Sequence, residues 1–417
     1  MECSESETIL SLILDIGVAM MRSGAETHRV EDSLYRICES YGFHTCNIWV
    51  IPSNIQAGVV TEAGVHLTQI RHIRQINVNF GLLDRLNNLS REVCAIRPDA
   101  ETLRQQFQIV SREKREPVWI NYVAGILAAV GFGVFFNCDV MDALTACLTA
   151  VLITFLCRLL GRRESNPLIL NFVTAFLAEL FIITAVHFGI GHHQSYITVG
   201  VVMLLISGAG TTNGIRDLVH LDTLSGTINV TSSLTGAIGI ALGIALPIRM
   251  LPGWGSAEVH VLNPNPLIQL VSCTAATAGF AVWFHVRYEH VIYCAIGAWI
   301  TWTAYLLASR WAGVSFSSAI CCSIICGFYA QIIARVLKAP ATVFSSISIF
   351  PLIPGANLYY MMAAIVMRQR EQAFDQGIAL FTTCFAIVLG FMVVEVLSRH
   401  IWHPGAVGKP GGYRDIR

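Results

Sequence analysis

Apolar residues follow two regimes along this chain, and the regimes meet near residue 117. Before that point they recur in short runs among polar and charged residues, and no run reaches the roughly 18 residues that a membrane span needs. Val30, Leu34, Ile37 and Tyr41 mark one face of a helix, with Asp32 and Arg36 as an i,i+4 pair and Gly42 as its stop. Ser23-Gly24-Ala25-Glu26 has the form of a capping box and predicts that this helix begins there. Alternation predicts strands near 44–51, 55–61 and 65–72, and helical spacing returns near 75–91 and 98–110. Residues 1–117 therefore read as a small soluble α+β domain. Ile9 to Met21 is interrupted by Ser11 and Asp15 and comes after an acidic segment, which does not fit a secretory signal.

From Val118 onward ten apolar segments are expected, at about 118–137, 143–160, 167–188, 196–212, 227–248, 266–285, 291–308, 313–334, 342–367 and 376–397. Two of them are broken at matching places, by Ile206-Ser207-Gly208-Ala209-Gly210 and by Ile353-Pro354-Gly355-Ala356-Asn357. The shift between the breaks is 355 − 208 = 147, and the same shift lays Thr235 on Thr382 and Leu242-Gly243 on Leu389-Gly390. Internal duplication explains this match. Five spans per copy is an odd number, so the second copy starts on the other side of the membrane and the repeats are inverted. The expected fold is an α-helical multi-pass membrane protein with ten transmembrane helices in two inverted five-helix repeats, at 118–250 and 265–400, after the α+β domain and before a flexible tail at 401–417.

Composition agrees: 54% of residues are hydrophobic and 13% charged, with a mean hydropathy of +0.60, too apolar for a soluble enzyme of this length. Lys+Arg and Asp+Glu both number 27, so net charge indicates no nucleic-acid partner. With the amino terminus in the cytoplasm, Arg158, Arg162, Arg163, Arg216, Arg287, Arg335 and Lys338 fall inside with the tail cations, against Arg249, Arg310, Arg368 and Arg370 outside. Domain and tail are thus expected on the cytoplasmic face of the cell membrane. The scattered cysteines describe no disulfide framework, and Cys321, Cys322 and Cys326 read as packing residues. His187, His192 and His193 gather near an external loop, where solvation is the simplest reading and a metal site or pH sensor the alternative. No metal or other cofactor is expected.

The breaks carry the candidate chemistry. Pro351 and Pro354 lack backbone donors, which leaves the carbonyls of Ile347 and Phe350 without their usual helical partners. In a bilayer such backbone is tolerated only inside protein or beside a cavity, and paired breaks of this kind point to a transporter's substrate site. The candidate substrate-binding residues are Ser207, Gly208, Thr211, Thr212 and Asn213 at the first break and Pro354, Gly355, Asn357 and Tyr359 at the second. Hydroxyl and amide groups suit a small polar or zwitterionic substrate without adding fixed charge. Glu179, deep in the third span, is a candidate proton-coupling group because burial penalises its charged form. Arg216, Asp217 and Asp222 are candidate gating residues, and Gly236, Gly239 and Gly243 read as a close helix-packing face.

Arg22-Ser23-Gly24-Ala25-Glu26-Thr27-His28-Arg29-Val30-Glu31-Asp32 resembles a signature of the threonine/serine exporter family. Asn213-Gly214-Ile215-Arg216-Asp217-Leu218 with Asp222-Thr223-Leu224-Ser225-Gly226 resembles its second signature, and Pro351-Leu352-Ile353-Pro354-Gly355 its carboxy-terminal module. Ser207 stands where a proline is expected and Leu221 where a glycine is expected. The resemblance covers nearly the whole chain in the single-chain form of a system that also occurs as two proteins. It implies export of threonine, serine or a similar small metabolite, with succinate or another small carboxylate as the alternative attached to the split form. The implied partners are that substrate, the lipid bilayer and protons, with a homo-oligomer left open. No phosphate loop, paired metal-ligand motif or nucleophile–base pattern is present, so neither ATP-driven transport nor an enzyme is expected; an intramembrane hydrolase and a membrane-bound metabolite sensor are the alternatives of another class.

Overall fold

The computed structural model describes residues 3–73, 77–112, 117–161, 166–206, 210, 214, 217–218, 222–251, 254, 262–313 and 316–402. Helix α1 (Cys3–Arg22) opens the chain and is the centre of the amino-terminal unit. Its Leu10, Ile13, Leu14 and Ile16 are fully buried, and α2 (Thr27–Ser40), α3 (Phe80–Ile96), α4 (Ala100–Ser111) and two strands pack around it. This helix was not evident from periodicity, because a helix covered on most sides has no wide polar face to set its period. The two polar interruptions have a structural use: Arg71 donates to Asp15 at 2.9 Å and to Ser11 at 2.6 Å.

Strands β1 (His44–Ile51), β2 (Asn54–Val60) and β3 (His66–His72) form an antiparallel sheet in sequence order. Ile51 pairs with Asn54 and Val60 with His66. Ile55, Ala57 and Val59 alternate inward on β2. Helix α2 departs from the capping-box expectation. It begins at Thr27 with Glu26 as its N-cap and no side-chain cap, while the Ser23 hydroxyl donates back to the Ala19 carbonyl. Glu26 is buried and directed elsewhere, accepting from Arg29 at 3.2 Å and from Thr342 at 3.3 Å.

That contact joins the amino-terminal unit to the apolar helices of the rest of the chain. These are α5 (Val118–Phe135), α6 (Val140–Leu160), α7 (Pro167–His187), α8 (Gln194–Val202), α9 (Thr223–Met250), α10 (Pro266–Trp283), α11 (Tyr288–Ala312), α12 (Phe316–Leu337), α13 (Ala341–Ser348), α14 (Gly355–Val366) and α15 (Arg370–Trp402). Eight described helices are long and apolar enough to cross a membrane, and a bent pair that includes α13 and α14 makes a ninth if counted as one span. The fourth expected segment starts as α8 and runs into positions outside the described residues, so the described set stops short of the ten helices expected. Phe80 and Gly81 donate to the carbonyls of Phe284 and His285 at 3.0 and 2.9 Å, and Asp84 pairs with Arg287 at 3.2 Å. A Cβ on Gly81 would lie 2.6 Å from the His285 oxygen, so this docking needs glycine.

Glu31 sits at the same junction. The Val50 N–H donates to it at 2.9 Å, yet burial pushes its carboxyl up from 4.5 to about 7, with Asp222 adding repulsion. An acid with a raised folded-state pKa keeps its proton after the unfolded chain has lost it, so stability falls as pH rises from about 4.5 to about 7. Glu31→Gln preserves an acceptor for Val50 and removes the titration. Melting temperatures of wild type and variant should converge at pH 4 and separate above pH 7 with the variant higher; parallel profiles would contradict this account.

Helices of the two halves meet in corresponding ways. α7 packs on α9 and α12 on α15, while α5 and α10 pack against each other. At the last crossing a Cβ on Gly131 would lie 2.8 Å from Ala276 N and one on Gly279 2.6 Å from Ala128 N. These contacts exchange under one shift, 276 − 128 = 279 − 131 = 148. Phe132 and Phe280, also related by 148, touch at 5.7 Å between ring centroids. Both helices end alike: Phe136 and Phe284 donate to Phe132 and Phe280, and Asn137 and His285 both have positive φ.

Candidate functional site

The second break is built within protein. Every residue of α13 is buried, as are Phe350–Leu352, which form a single 3-10 turn, and Ile353, Pro354 and Gly355. The turn returns a partner to one expected orphan: the Phe350 carbonyl accepts from Ile353 N at 3.1 Å. Beyond it Gly355 starts α14, and the chain bends by 41° across the pair. Non-helical backbone at this depth is thus shielded from lipid by neighbouring helices, as the hydrocarbon requires.

Gly355 faces the first half. A Cβ there would be 2.7 Å from the Met203 sulfur and 3.6 Å from Ile206 Cγ2, the residues that end α8 and lead into the first break. Tyr359 packs on the first-half cluster that contains Ala178, Ile182, Tyr196 and Leu205, within electrostatic reach of Glu179. Asn357 donates to Gln376 of α15 at 2.9 Å, so its amide holds two helices together. Ser207, Gly208, Thr211, Thr212, Asn213 and Arg216 lie outside the described residues.

Glu179 is 1% exposed on α7. Gln194 donates to one carboxylate oxygen at 2.6 Å and Thr198 to the other at 2.9 Å. Gln194 and Thr198 stand four residues apart on α8, hence on one face. Sequence reasoning selected Glu179 and missed both partners, although an i,i+4 polar pair in an apolar segment was a visible signal. Asp217 is buried and accepts from Asn229 of α9 at 3.0 Å. Asp222 donates through its backbone N–H to the Asp217 carbonyl at 2.9 Å and lies near Glu31. Gly239 and Gly243 abut the Leu168 and Phe172 carbonyls, a packing role.

At the start of α6, Asp139 and Asp142 form a reciprocal capping box. Asp142 also accepts from the backbone of His192 and His193 at 2.7 and 3.0 Å, and His192 Nδ1 meets Asp139 at 2.5 Å. The Asp139 hydrogen bond holds the His192 imidazole above its usual range. Asp139, Asp142 and His192 have the spacing of metal ligands, but their oxygens are already accepting hydrogen bonds that tie α6 to the start of α8. His187 instead stacks on Trp254, 3.7 Å between centroids.

Residues 11–251 match the family model described as "Putative threonine/serine exporter", and residues 269–397 match that described as "Threonine/Serine exporter, ThrE". The chain belongs to the threonine/serine exporter family. A curated threonine/serine exporter of Corynebacterium glutamicum is 22% identical over 425 residues, spanning 96% of this chain and 84% of its own. No solved structure matches the chain. The exporter family and the apolar helices together identify a multi-pass membrane protein of transport, with a small-molecule substrate and lipid as its surroundings. Within this exporter the two family models divide between the helices that carry Glu179 and those that carry Gly355, so the contact of Gly355 with Met203 and Ile206 joins the two.

Proposed function

We propose that this chain is a secondary transporter that exports threonine, serine or a similar small metabolite across the cell membrane and is driven by the proton gradient. The observation that carries the reading is the approach of the two breaks: Gly355 lies against Met203 and Ile206, with the buried carboxylate of Glu179 and the ring of Tyr359 in the same region. A substrate held there lies beside the break at Pro354 and Gly355, with Tyr359 and Glu179 in the same region; Ser207, Gly208, Thr211, Thr212 and Asn213 are the substrate-binding candidates of the first half. Glu179 alternates between protonated and ionised states as Gln194 and Thr198 move with α8.

Two inverted repeats at 118–250 and 265–400 supply the alternation, and the contacts related by a shift of 148 support them. Inversion is further supported by direction, since the start of α5, at Asn121 and Tyr122, and the end of α10, at Trp283 and Phe284, line one cavity beside the amino-terminal unit. The unit of residues 1–117 and the tail of 401–417 lie in the cytoplasm, and the unit regulates or assembles the membrane part without catalysing a reaction. Asp217 and Asp222 serve as a gate at the start of α9.

Purified protein in sealed liposomes tests this reading. Threonine or serine should leave protein-containing vesicles faster than empty ones, and the rate should change when a pH gradient is imposed at fixed voltage. Flux indifferent to the gradient would remove proton coupling; absence of both fluxes with movement of succinate would replace the substrate.

A further inference from the structure

A cavity of about 1550 Å³ separates the amino-terminal unit from the ends of the membrane helices. One wall carries Asp15, Arg22 and Arg85; the other carries Asn121, Arg158 and the segment from Trp283 to Glu289. It shares no lining residue with the Glu179 and Gly355 region, and it exceeds the roughly 300–1,000 Å³ of ordinary small-ligand pockets, far more than a three- or four-carbon amino acid fills.

Its electrostatics are one-sided. Among the described lining residues four arginines face two carboxylates, and both carboxylates are engaged, Asp15 by Arg71 and Glu289 by Arg287. Among the described residues Arg22, Arg85 and Arg158 form no ion pair. Four lining polar atoms are themselves buried and hydrogen-bond to no described residue: Arg85 Nε, Ser111 Oγ, Asn121 Oδ1 and His285 Nδ1. Buried polar atoms are ordinarily satisfied, so four beneath the lining of one cavity, from both walls, mark it as a polar place with bonding capacity left over. Every described lining cation is an arginine, whose planar fork matches the oxygens of a phosphate. A phosphate monoester carries close to two negative charges at neutral pH and offsets more of the three uncommitted charges than a single carboxylate would; a lipid phosphodiester carries one and is matched by the arginine fork through its oxygen geometry.

We propose that this cavity binds a phosphate group, gripped by Arg85 from the amino-terminal unit and Arg158 from the membrane helices, so that occupancy clamps the two parts together. The group belongs either to a soluble phosphorylated metabolite or to an anionic lipid headgroup. The reading is independent of the transport assignment, because binding is measured without flux.

The full-length protein is reconstituted in nanodiscs of phosphatidylcholine alone and titrated with pyrophosphate, and separately in nanodiscs containing phosphatidylglycerol with no added phosphate. Thermal midpoint and pyrophosphate binding are read in each. A rise with pyrophosphate in neutral discs assigns a soluble ligand; a rise only with phosphatidylglycerol assigns a lipid headgroup. In either case Arg85→Gln should abolish the rise and weaken the measured binding by about tenfold or more, as expected for a lost charge-assisted contact. Asn121→Asp, which changes little in shape and places a repelling charge in the cavity, should do the same and guards against an Arg85 variant that misfolds. The proposal is overturned if neither addition raises the midpoint, or if a rise survives unchanged in both variants.

Discussion

Glu179→Gln should give a folded protein whose threonine and serine efflux falls by roughly an order of magnitude or more and no longer responds to an imposed pH gradient. A tenfold loss corresponds to about 1.4 kcal/mol on the limiting barrier. The variant is a clean one because both existing hydrogen bonds have replacements. The new amide oxygen can accept from Gln194, and its NH2 can donate to the Thr198 hydroxyl, which reverses its role. Shape and packing against the cluster around Ala178, Ile182 and Tyr196 are retained. What is removed is the ability to ionise, so the variant separates a titrating role from a hydrogen-bonding one. Midpoint of unfolding and yield are measured beside flux. Wild-type flux with intact gradient dependence would place proton coupling on another group, and a collapse in yield would make Glu179 a structural residue.

Gly279→Leu should abolish accumulation of folded protein in the membrane, the largest structural effect expected of any single substitution here. A Cβ at 279 would lie 2.6 Å from the backbone N of Ala128 and 2.8 Å from the Ala124 carbonyl oxygen. Neither atom can yield as a flexible side chain can, so α5 and α10 must part along their length. Separating them breaks the Phe132–Phe280 contact and moves the end of α10, on which Phe80 and Gly81 dock. Overpacking in a core costs about 1–3 kcal/mol where side chains can adjust, and a clash with backbone exceeds that. Val271→Leu on the same helix, at a position 55% exposed, is the control and should accumulate normally. Equal recovery of both variants from the membrane fraction would show that the α5–α10 crossing is not the element on which the halves assemble. Gly131→Leu should repeat the defect from the other side of the same crossing.

Much of this architecture was legible in the pattern of residues. Apolar run length separated residues 1–117 from the membrane helices, because the hydrocarbon thickness sets a minimum length that no chance run in the first part reaches. Strand alternation located β1, β2 and β3 to within a residue, since a half-buried sheet repeats with period two. The matched glycines and prolines drew attention to Gly355, and charge at depth drew attention to Glu179. Helix α1 escaped because burial on nearly all sides erased its period, and Ser23-Gly24-Ala25-Glu26 misled because a motif specifies which atoms could bond, not what else competes for them. Glu26 bonds to Thr342, 316 residues away, and to the Arg29 side chain, and gives its own helix no side-chain cap.

Residue type and order alone thus determined the multi-pass membrane character and the family, which depend on local composition, spacing and motif. The tertiary structure decided which polar groups meet. Glu179 finds Gln194 and Thr198, Asn357 finds Gln376, Gly355 finds Met203, and the arginines of two distant segments face one cavity. Such pairings depend on how helices rotate and cross, which is set by close packing of many small contacts at once, and no short stretch of the chain carries that information.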